Sequence, residues 1–281
     1  MTWEWHLKNR HLTIERRPLV MGIVNVTPDS FSDGGRFADP KAAVEHGLEL
    51  VRQGADILDI GGESTRPGAL PVPLEEELRR VVPVIKELAA RTPTPLSVDT
   101  SKATVARESL NLGASIVNDV TALTGDPAMV EVVRDNRAGA ILMHMQGTPA
   151  TMQLEPHYED VVREVGDYFE ERLQALTATG LAREQLVLDP GIGFGKRRQH
   201  NLELLARLGA FQRFGRPVCL GISRKGFLGR MLGERPVERR LPAALAATCF
   251  AMSRQAVQVV RVHDVEETRD AVSLFTALSE L

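Results

Sequence analysis

Short apolar runs alternate with helical patterns along almost the whole chain. Eight of these runs are nearly continuous in apolar side chains, which is typical of parallel strands buried on both faces. The stretches between them carry apolar residues at helical spacing, as in LEEELRRVVPVIKELAA and YEDVVREVGDYFEERLQAL. The predicted strands are Leu19–Val26, Asp56–Gly62, Leu96–Thr100, Ser115–Val120, Ala140–Met145, Leu186–Pro190, Val218–Ser223 and Val259–Asp264.

Eight strand–helix units in about 250 residues are typical of a (β/α)8 barrel. The pattern therefore predicts an α/β protein, a TIM barrel that forms a single domain over residues 1–281. An open, doubly wound sheet is the alternative, because periodicity alone does not distinguish the two. Two further short runs, Trp3–Leu7 and Leu12–Glu15, predict a β-hairpin within residues 1–18 that covers the lower end of the barrel.

Composition narrows the class of protein. The chain has 281 residues, of which 43% are hydrophobic and 25% charged, and its formal net charge is −3 without a basic stripe. This balance argues against a nucleic-acid partner. No apolar run approaches the roughly 20 residues needed to cross a bilayer, so we expect no membrane partner. The polar start of the chain and two cysteines in apolar segments, Cys219 and Cys249, predict a cytoplasmic protein.

Polar side chains stand at the carboxyl end of every predicted strand. In a barrel these ends meet at one mouth, where barrel enzymes place their chemistry. Any one of the residues could be a strand-end cap or a surface group, but their presence on all eight strands predicts a site. They are Asn25, Asp59, Glu63, Asp99, Asn118, Asp119, His144, Asp189, Ser223, Arg224, Lys225, Arg261, His263 and Asp264.

Their chemistry suggests two subsites. Asp99, Asn118 and Asp189 offer carboxylate and amide groups suited to the N–H edge of a flat ring such as a pterin or guanine. A divalent metal held by the two aspartates is the alternative for this set. Arg261 and His263 alternate on the last strand and therefore point to the same side, where phosphate is often bound in such barrels. For Arg261, pairing with a structural carboxylate such as Asp264 is the alternative.

Three loops complete the predicted mouth. The segments NVTPDSFSDGGRF (Asn25–Phe37) and GGESTRPGALPVP (Gly61–Pro73) are long and glycine-hinged, which favours lids over ordinary turns. The segment LDPGIGFGK (Leu188–Lys196) has glycine spacing that fits neither a P-loop nor a dinucleotide fingerprint. We interpret it as the wall of the flat-ring slot, with glycines that let the backbone approach the ring. On this interpretation Lys196 is an outer-loop charge.

The motifs MGIVNVTPDSFSDGG, DIGGESTRPG, SVDTSK, IVNDVTAL, LMHMQGTPATMQ, LDPGIGFGK, GISRKGFLG and VVRVHDVEET occur in this order. As an ordered set they resemble the dihydropteroate synthase family of the folate pathway. The resemblance covers the chain from about Leu19 onward. It implies that 4-aminobenzoate displaces diphosphate from (7,8-dihydropterin-6-yl)methyl diphosphate to give 7,8-dihydropteroate. It also implies a Mg²⁺ cofactor, a homodimer and a target of sulfonamides.

The resemblance also implies roles for individual positions, and these fall into three pockets. The family's pterin pocket corresponds to Asp99, Asn118, Asp189 and Lys225. Its diphosphate pocket corresponds to Asn25, Arg261 and His263, with Asn25 also helping to hold Mg²⁺. Its aminobenzoate side corresponds to Thr65, Pro67, Ser223 and Lys225, with Phe31 and Phe194 as walls, and Asp33 and Arg66 engage each other when the site closes.

Six of these positions form the expected catalytic set: Asp33, Asp99, Asp189, Lys225, Arg261 and His263. Two related functions are alternatives to the synthase, namely a pterin-binding methyltransferase and a pterin-binding barrel without catalysis. Neither needs a diphosphate site, so the Arg261–His263 pair and the segment Ser223–Lys225 favour the synthase. The departures from the family pattern, such as Arg197 and Arg198, are confined to the loop after Lys196.

Overall fold

The structure, a computed structural model, describes residues 2–27, 39–66 and 68–281. Eight parallel strands form one sheet in the order β8-β7-β6-β5-β4-β3-β10-β9, numbered as below. A parallel bridge between Leu188 and Val218 joins its two edges and nearly closes a barrel. The predicted TIM barrel is therefore confirmed, and the open-sheet alternative is wrong. The strands are β1 Trp3–Leu7, β2 Arg10–Ile14, β3 Leu19–Asn25, β4 Ile57–Gly61, β5 Leu96–Asp99, β6 Ile116–Asp119, β7 Gly139–Met143, β8 Leu186–Asp189, β9 Cys219–Leu220 and β10 Val259–Val262.

The helices pack around the barrel through apolar stripes. On one of them Val81, Val84, Ile85 and Leu88 recur at helical spacing and are fully buried against the strands. Capping side chains fix some of the starts, as where Asp160 accepts hydrogen bonds from two backbone N–H groups. The helices are α1 Pro40–Arg52, α2 Leu74–Arg91, α3 Ala103–Asn111, α4 Met129–Asp135, α5 Val161–Ala178, α6 Arg198–Ala206, α7 Gly226–Met231, α8 Leu241–Ser253 and α9 Val265–Ser279.

The strands alternate between the helical shell and the barrel interior, so every second residue points inward. At the amino-terminal end the inward residues are apolar and form a compact layer. On four of these strands the inward position two residues further along is polar: Ile57 is followed by Asp59, Ile116 by Asn118, Val187 by Asp189 and Val259 by Arg261. The apolar layer consists of Met21, Ile57, Ile116, Ile141, Val187, Cys219 and Val259.

The predicted N-terminal hairpin is confirmed and covers this apolar layer. Strands β1 and β2 pair antiparallel, with Trp3 opposite Ile14. Trp5 is fully buried, and its indole N–H donates a hydrogen bond to the Gln185 carbonyl at 2.9 Å. A side chain at Gly139 would lie within 2.6 Å of Leu7, so only glycine lets the hairpin approach β7 this closely. The lower end of the barrel is thus sealed by apolar packing.

Candidate active site

The polar upper ends of the strands enclose a pocket at the carboxyl-terminal mouth. Its floor is formed by inward side chains of neighbouring strands, because Asp99 lies opposite Asn118 in the register of β5 and β6. Hydrophobic wall residues such as Met143 and Ile192 complete the lining. Seven of the predicted site residues line this one pocket: Thr65, Asp99, Asn118, Asp189, Phe194, Lys225 and Arg261.

An ionic network occupies the floor of the pocket. The Arg261 guanidinium donates through Nε to Asp59 and through a terminal nitrogen to Asp99, each at 2.6 Å. The Asn118 amide also donates to Asp59, at 3.0 Å. Asp264 instead pairs with Arg224 at 2.5 Å. The alternative that Arg261 pairs with a structural carboxylate is therefore right about the kind of partner but wrong about Asp264. The structural carboxylates of Arg261 are those of Asp59 and Asp99.

Burial sets the proton affinity of the two predicted pterin-binding carboxylates. It raises the pKa of Asp99, whereas the adjacent Arg261 charge opposes the rise. It also raises the pKa of Asp189, and a hydrogen bond from the Gly191 N–H at 2.7 Å opposes this most strongly. Because that bond uses Oδ1 of Asp189, Oδ2 remains free to accept from a ligand.

Lys225 and Phe194 form the opposite side of the pocket. The Lys225 ammonium lies 4.0 Å from the centroid of the Phe194 ring, a cation–π distance. Burial lowers the pKa of Lys225 to about 8, and Asp189 opposes the fall. Between Ser223 and Lys225, the backbone of Arg224 has a φ of 58°, a left-handed conformation unusual for a side chain of this size. This turn starts helix α7.

His263 lies beside the pocket and bonds to Ser223. Its backbone N–H donates to Ser223 Oγ at 3.2 Å, and the same hydroxyl lies 3.1 Å from His263 Nδ1. Since the hydroxyl oxygen accepts the backbone bond, its proton is free to point to Nδ1, which places the ring proton on Nε2. Burial lowers the pKa of His263 to about 3. The imidazole is therefore a neutral N–H donor at neutral pH.

The second predicted lid, Gly61–Pro73, is anchored at its base. The Glu63 carboxylate accepts from the Val72 N–H at 3.2 Å and so ties the two ends of the loop together. The Lys102 ammonium bridges Glu63 and Glu77, and Glu77 is fully buried. Thr65 lines the pocket, whereas the side chain of Arg66 is exposed.

The remaining predicted site residues lie at the edge of the pocket or outside the residues that the structure describes. Asn25 is the last residue of β3 and pairs with Gly61. The residues Phe31, Asp33 and Pro67 lie outside the described residues, as does most of the first predicted lid. Across the described part of the chain, no cluster of three His, Cys, Asp or Glu side chains is arranged to hold a metal ion. The Asp99 carboxylate is instead bonded to the Arg261 guanidinium, which disfavours the alternative of a metal held by the Asp99–Asp189 pair.

The glycine-rich segment Leu188–Lys196 differs from its interpretation. Lys196 is only 1% exposed, so its reading as an outer-loop charge is wrong. The glycines of this segment allow two backbones to pack closely, because a side chain at Gly191 would lie 1.9 Å from the His144 carbonyl oxygen. A side chain at Gly195 would similarly meet the Gln146 carbonyl at 2.5 Å. The loop after β8 thus crosses directly against the loop after β7.

Sequence reasoning left two residues of the site without a role. Asp59 points into the barrel like Asp99 and Asn118. The alternation of inward and outward residues along β4 is the sequence feature that indicates this, and it could have placed Asp59 in the network. Within the described structure its Oδ1 atom is buried without a hydrogen-bond partner. His144 was noted only as a strand-end residue, and nothing in the sequence indicates its contact with Lys196, 52 residues away.

Comparison with known proteins agrees with this geometry. A family model described as "Pterin binding enzyme" matches residues 21–263. The dihydropteroate synthase of Escherichia coli K12 is 48% identical over 260 residues, which cover 92% of this chain and 91% of the relative.

Two solved structures are similar over nearly the full length. The dihydropteroate synthase of Xanthomonas albilineans with 4-aminobenzoic acid has a TM-score of 0.92 at 47% identity, covering 99% of each chain. The same enzyme in complex with 7,8-dihydropteroate has a TM-score of 0.88 at 45% identity, covering 98% of this chain and 99% of that one. The chain therefore belongs to the dihydropteroate synthase family of transferases, as its ordered motifs predict.

Proposed function

We propose that the chain condenses (7,8-dihydropterin-6-yl)methyl diphosphate with 4-aminobenzoate to form 7,8-dihydropteroate and diphosphate. The observation that carries the proposal is the single pocket that gathers Asp99, Asn118 and Asp189 on one side and Lys225 and Phe194 on the other. It offers acceptors for a pterin edge and, next to them, a cation and an aromatic wall. Relatives of the same family bind 4-aminobenzoic acid and 7,8-dihydropteroate.

The pterin ring is read by the floor of the pocket. Asp189 has one carboxylate oxygen fixed by Gly191 and the other free, which suits an amino group and ring N–H of the pterin. Asn118 can donate and accept, and its amide is held in place by Asp59. Asp99 supplies a second carboxylate. Together these groups favour a flat heterocycle with several N–H donors over an apolar ring.

The diphosphate lies on the side of Arg261, His263 and Asn25. Within the described residues Nη1 of Arg261 makes no hydrogen bond and the side chain is 22% exposed, so the guanidinium can donate to a diphosphate although it pairs with two aspartates. His263 adds a neutral N–H donor through Nε2. These donors stabilise the negative charge that grows on the leaving group.

Mg²⁺ fits the same side. Magnesium usually keeps several waters and binds through substrate phosphates with only one or two protein ligands. The donor set here matches that habit, because Asn25 offers one amide oxygen at the end of β3 and the described residues offer no closed cage. When bound, the ion neutralises charge on the diphosphate. Asn25 is the residue we assign to hold it.

The reaction begins with departure of the diphosphate. The aromatic amine is a weak nucleophile, so the C–O bond breaks early and its electron pair leaves with the diphosphate. The dihydropterin delocalises the positive charge left on its methylene carbon, and Asp99 and Asp189 place negative charge around it. The amine nitrogen then forms the new C–N bond and loses a proton. We assign the same role to the carboxylate of Asp33, on the first predicted lid.

The aminobenzoate stands against Phe194, with Lys225 and Ser223 beside it. The ring packs on the Phe194 wall, and the cation of Lys225 and the hydroxyl of Ser223 favour a substrate that carries a carboxylate. Thr65 lines the pocket from the anchored second lid. From the family resemblance, Phe31 and Pro67 are assigned to the same side, and Arg66 is assigned to a contact with Asp33 when the site closes.

We also propose a homodimer in the cytoplasm. Helix α8 is rich in alanine and leucine on all sides, yet its Phe250 is 40% exposed. On the neighbouring helix α9, Leu274 and Leu278 are 64% and 61% exposed. Apolar side chains exposed on adjacent helices are typical of a subunit interface.

Neither cysteine is in a disulfide, which is consistent with a reducing compartment. Among the described residues, no helix combines the length and apolar character needed to span a membrane.

Sedimentation tests the dimer. The wild-type protein should sediment at twice 30.9 kDa, and Leu278→Glu should shift it toward the monomer. A wild-type chain that sediments as a monomer at micromolar concentration would contradict this part of the proposal.

The function is tested by mixing the purified protein with the pterin diphosphate, Mg²⁺ and 4-aminobenzoate. We expect diphosphate and dihydropteroate to appear in equal amounts and only when both substrates are present. Pterin binding without diphosphate release would favour a barrel that binds pterin without this catalysis. Transfer of a methyl group instead would assign the chain to the pterin-binding methyltransferases.

A further inference from the structure

Lys196 is a buried cation that the proposed chemistry does not use. Its ammonium group makes three hydrogen bonds: to the Phe194 carbonyl at 2.9 Å, to His144 Nδ1 at 3.0 Å and to the His144 carbonyl at 3.2 Å. Three protons thus meet three acceptors. Within the described residues no carboxylate lies in salt-bridge contact with it. The side chain is only 1% exposed.

These bonds join two loops that form one wall of the pocket. His144 directly follows β7, and its N–H donates to the Asp189 carbonyl at 2.9 Å. Phe194 lies in the loop after β8, and its ring is the surface on which the Lys225 ammonium rests. The ammonium of Lys196 therefore holds the Phe194 carbonyl against the loop after β7, beside the Gln153 amide, which donates from that loop to the neighbouring Gly193 carbonyl at 2.9 Å.

A buried ammonium without a carboxylate is costly for the fold. Burial lowers the pKa of Lys196 to about 7, and it lowers the pKa of His144 to about 2. His144 is therefore neutral, and its Nδ1 is the acceptor in the bond from Lys196. Lys196→Met would leave the two carbonyls and His144 Nδ1 without their donor, so a loss of stability alone does not distinguish a structural role from a positioning role.

We propose that Lys196 is a positioning residue: its ammonium fixes the Phe194 backbone against the loop after β7 and so holds the aromatic wall of the aminobenzoate side in place. The inference rests on the proposed function for the identity of the substrate. It concerns the Phe194 wall more directly than the pterin floor, because Asp99 and Asn118 lie on β5 and β6, and Asp189 is joined to this anchor through its backbone carbonyl, which accepts from the His144 N–H at 2.9 Å.

The test compares two binding constants in Lys196→Met, which is one atom shorter than lysine, fills most of its volume and has no donors. We expect binding of 4-aminobenzoate, measured by calorimetry with pterin and diphosphate present, to weaken at least about tenfold. We expect the affinity for the pterin alone to change less than about threefold. The KM for 4-aminobenzoate should rise in proportion, with a smaller change in kcat. Unchanged aminobenzoate affinity would overturn the proposal.

Two further variants serve as controls for this test. Lys196→Gln is shorter and reaches one acceptor at most, so it should weaken aminobenzoate binding by a smaller factor of about threefold. If Lys196→Met does not fold, wild-type affinity in Lys196→Gln overturns the inference. Tyr158→Phe removes a different anchor of the same loop, the bond from the Tyr158 hydroxyl to the Gly195 carbonyl at 2.9 Å. It should bind aminobenzoate within about twofold of wild type, and an equal loss would show general loop loosening instead.

The proposed function can fail separately. Because binding is measured without turnover, a wild-type protein that binds aminobenzoate but releases no diphosphate contradicts the proposed reaction. In that case the comparison of Lys196→Met with wild type still decides the positioning role.

Discussion

At the lower end of the barrel Ile57, Ile116 and Val187 point inward and pack beneath the hairpin. Two positions further along the same strands, Asp59, Asn118 and Asp189 point inward into the mouth. The backbone is the same in both layers, and only the side chains differ. The lower layer is apolar and in contact with a buried hairpin, whereas the upper layer contains charges and hydrogen-bonding groups.

This difference separates the stability of the protein from its chemistry. The lower layer stabilises the fold because it removes apolar surface from water. The upper layer contains groups that do not stabilise the fold by themselves, including a carboxylate oxygen of Asp59 and the hydroxyl of Ser97, both buried without a partner within the described structure. Polar groups arranged in this way are typical of a site that a ligand completes.

Substitution of Arg261 should lower both the stability and the activity of the protein, and it has the largest expected effect. Arg261→Ala leaves Asp59 and Asp99 without their shared cation, so we expect the free energy of unfolding to fall by about 3–5 kcal/mol. The loss of a charge-stabilising donor should also lower kcat/KM on the order of 10²–10³-fold. Urea titration and steady-state kinetics measure the two effects. Arg224→Ala, in a half-exposed pair with Asp264, is the matched control and should lose less than about 1 kcal/mol.

Trp5→Ala tests the lower layer. The indole is fully buried and bonded to Gln185, so truncation should lower the free energy of unfolding by about 3–5 kcal/mol. The kcat/KM of the folded fraction should remain within about twofold of wild type, because the mouth lies at the other end of the strands. Activity measured below the unfolding transition, corrected for the folded fraction, checks this. A large loss in folded protein would show that the two layers are not independent.

The pH dependence of stability sharpens the comparison at Lys196. The pKa of Lys196 is about 7 in the folded protein and ordinarily 10.5, so between these values the unfolded chain binds more protons. The wild-type protein should therefore gain stability relative to Lys196→Met as the pH rises from about 7 to 10. The gain is at most about 1.4 kcal/mol per pH unit. Urea midpoints of both proteins across this range measure it, and a constant difference would contradict a lowered pKa for Lys196.

The strands and the position of the site follow from local patterns. Apolar runs place the eight strands, because strands buried on both faces are nearly continuously apolar, and the polar residue at the end of each run places the mouth. The hairpin boundaries differ from the prediction by a few residues, since Arg10 and His11 are polar but still pair with Leu7 and His6.

The partners inside the site depend on contacts that no local pattern contains. Arg261 meets Asp59 and Asp99 across separations of 202 and 162 residues. Lys196 begins the polar run KRRQH and therefore resembles a surface residue in sequence. Its burial arises from the loop after β7, which lies elsewhere in the chain. The chemistry of the residues was predictable, but the pairing of the charges was not.

The central claim is that the upper layer carries the chemistry while the lower layer carries the stability. The most direct test is Asp189→Asn, which retains an acceptor for the Gly191 N–H but removes the charge. We predict that kcat/KM for dihydropteroate formation falls on the order of 10²–10³-fold while the free energy of unfolding changes by less than about 1 kcal/mol. Wild-type turnover in this variant, or a loss of activity matched by a loss of stability, would contradict the account.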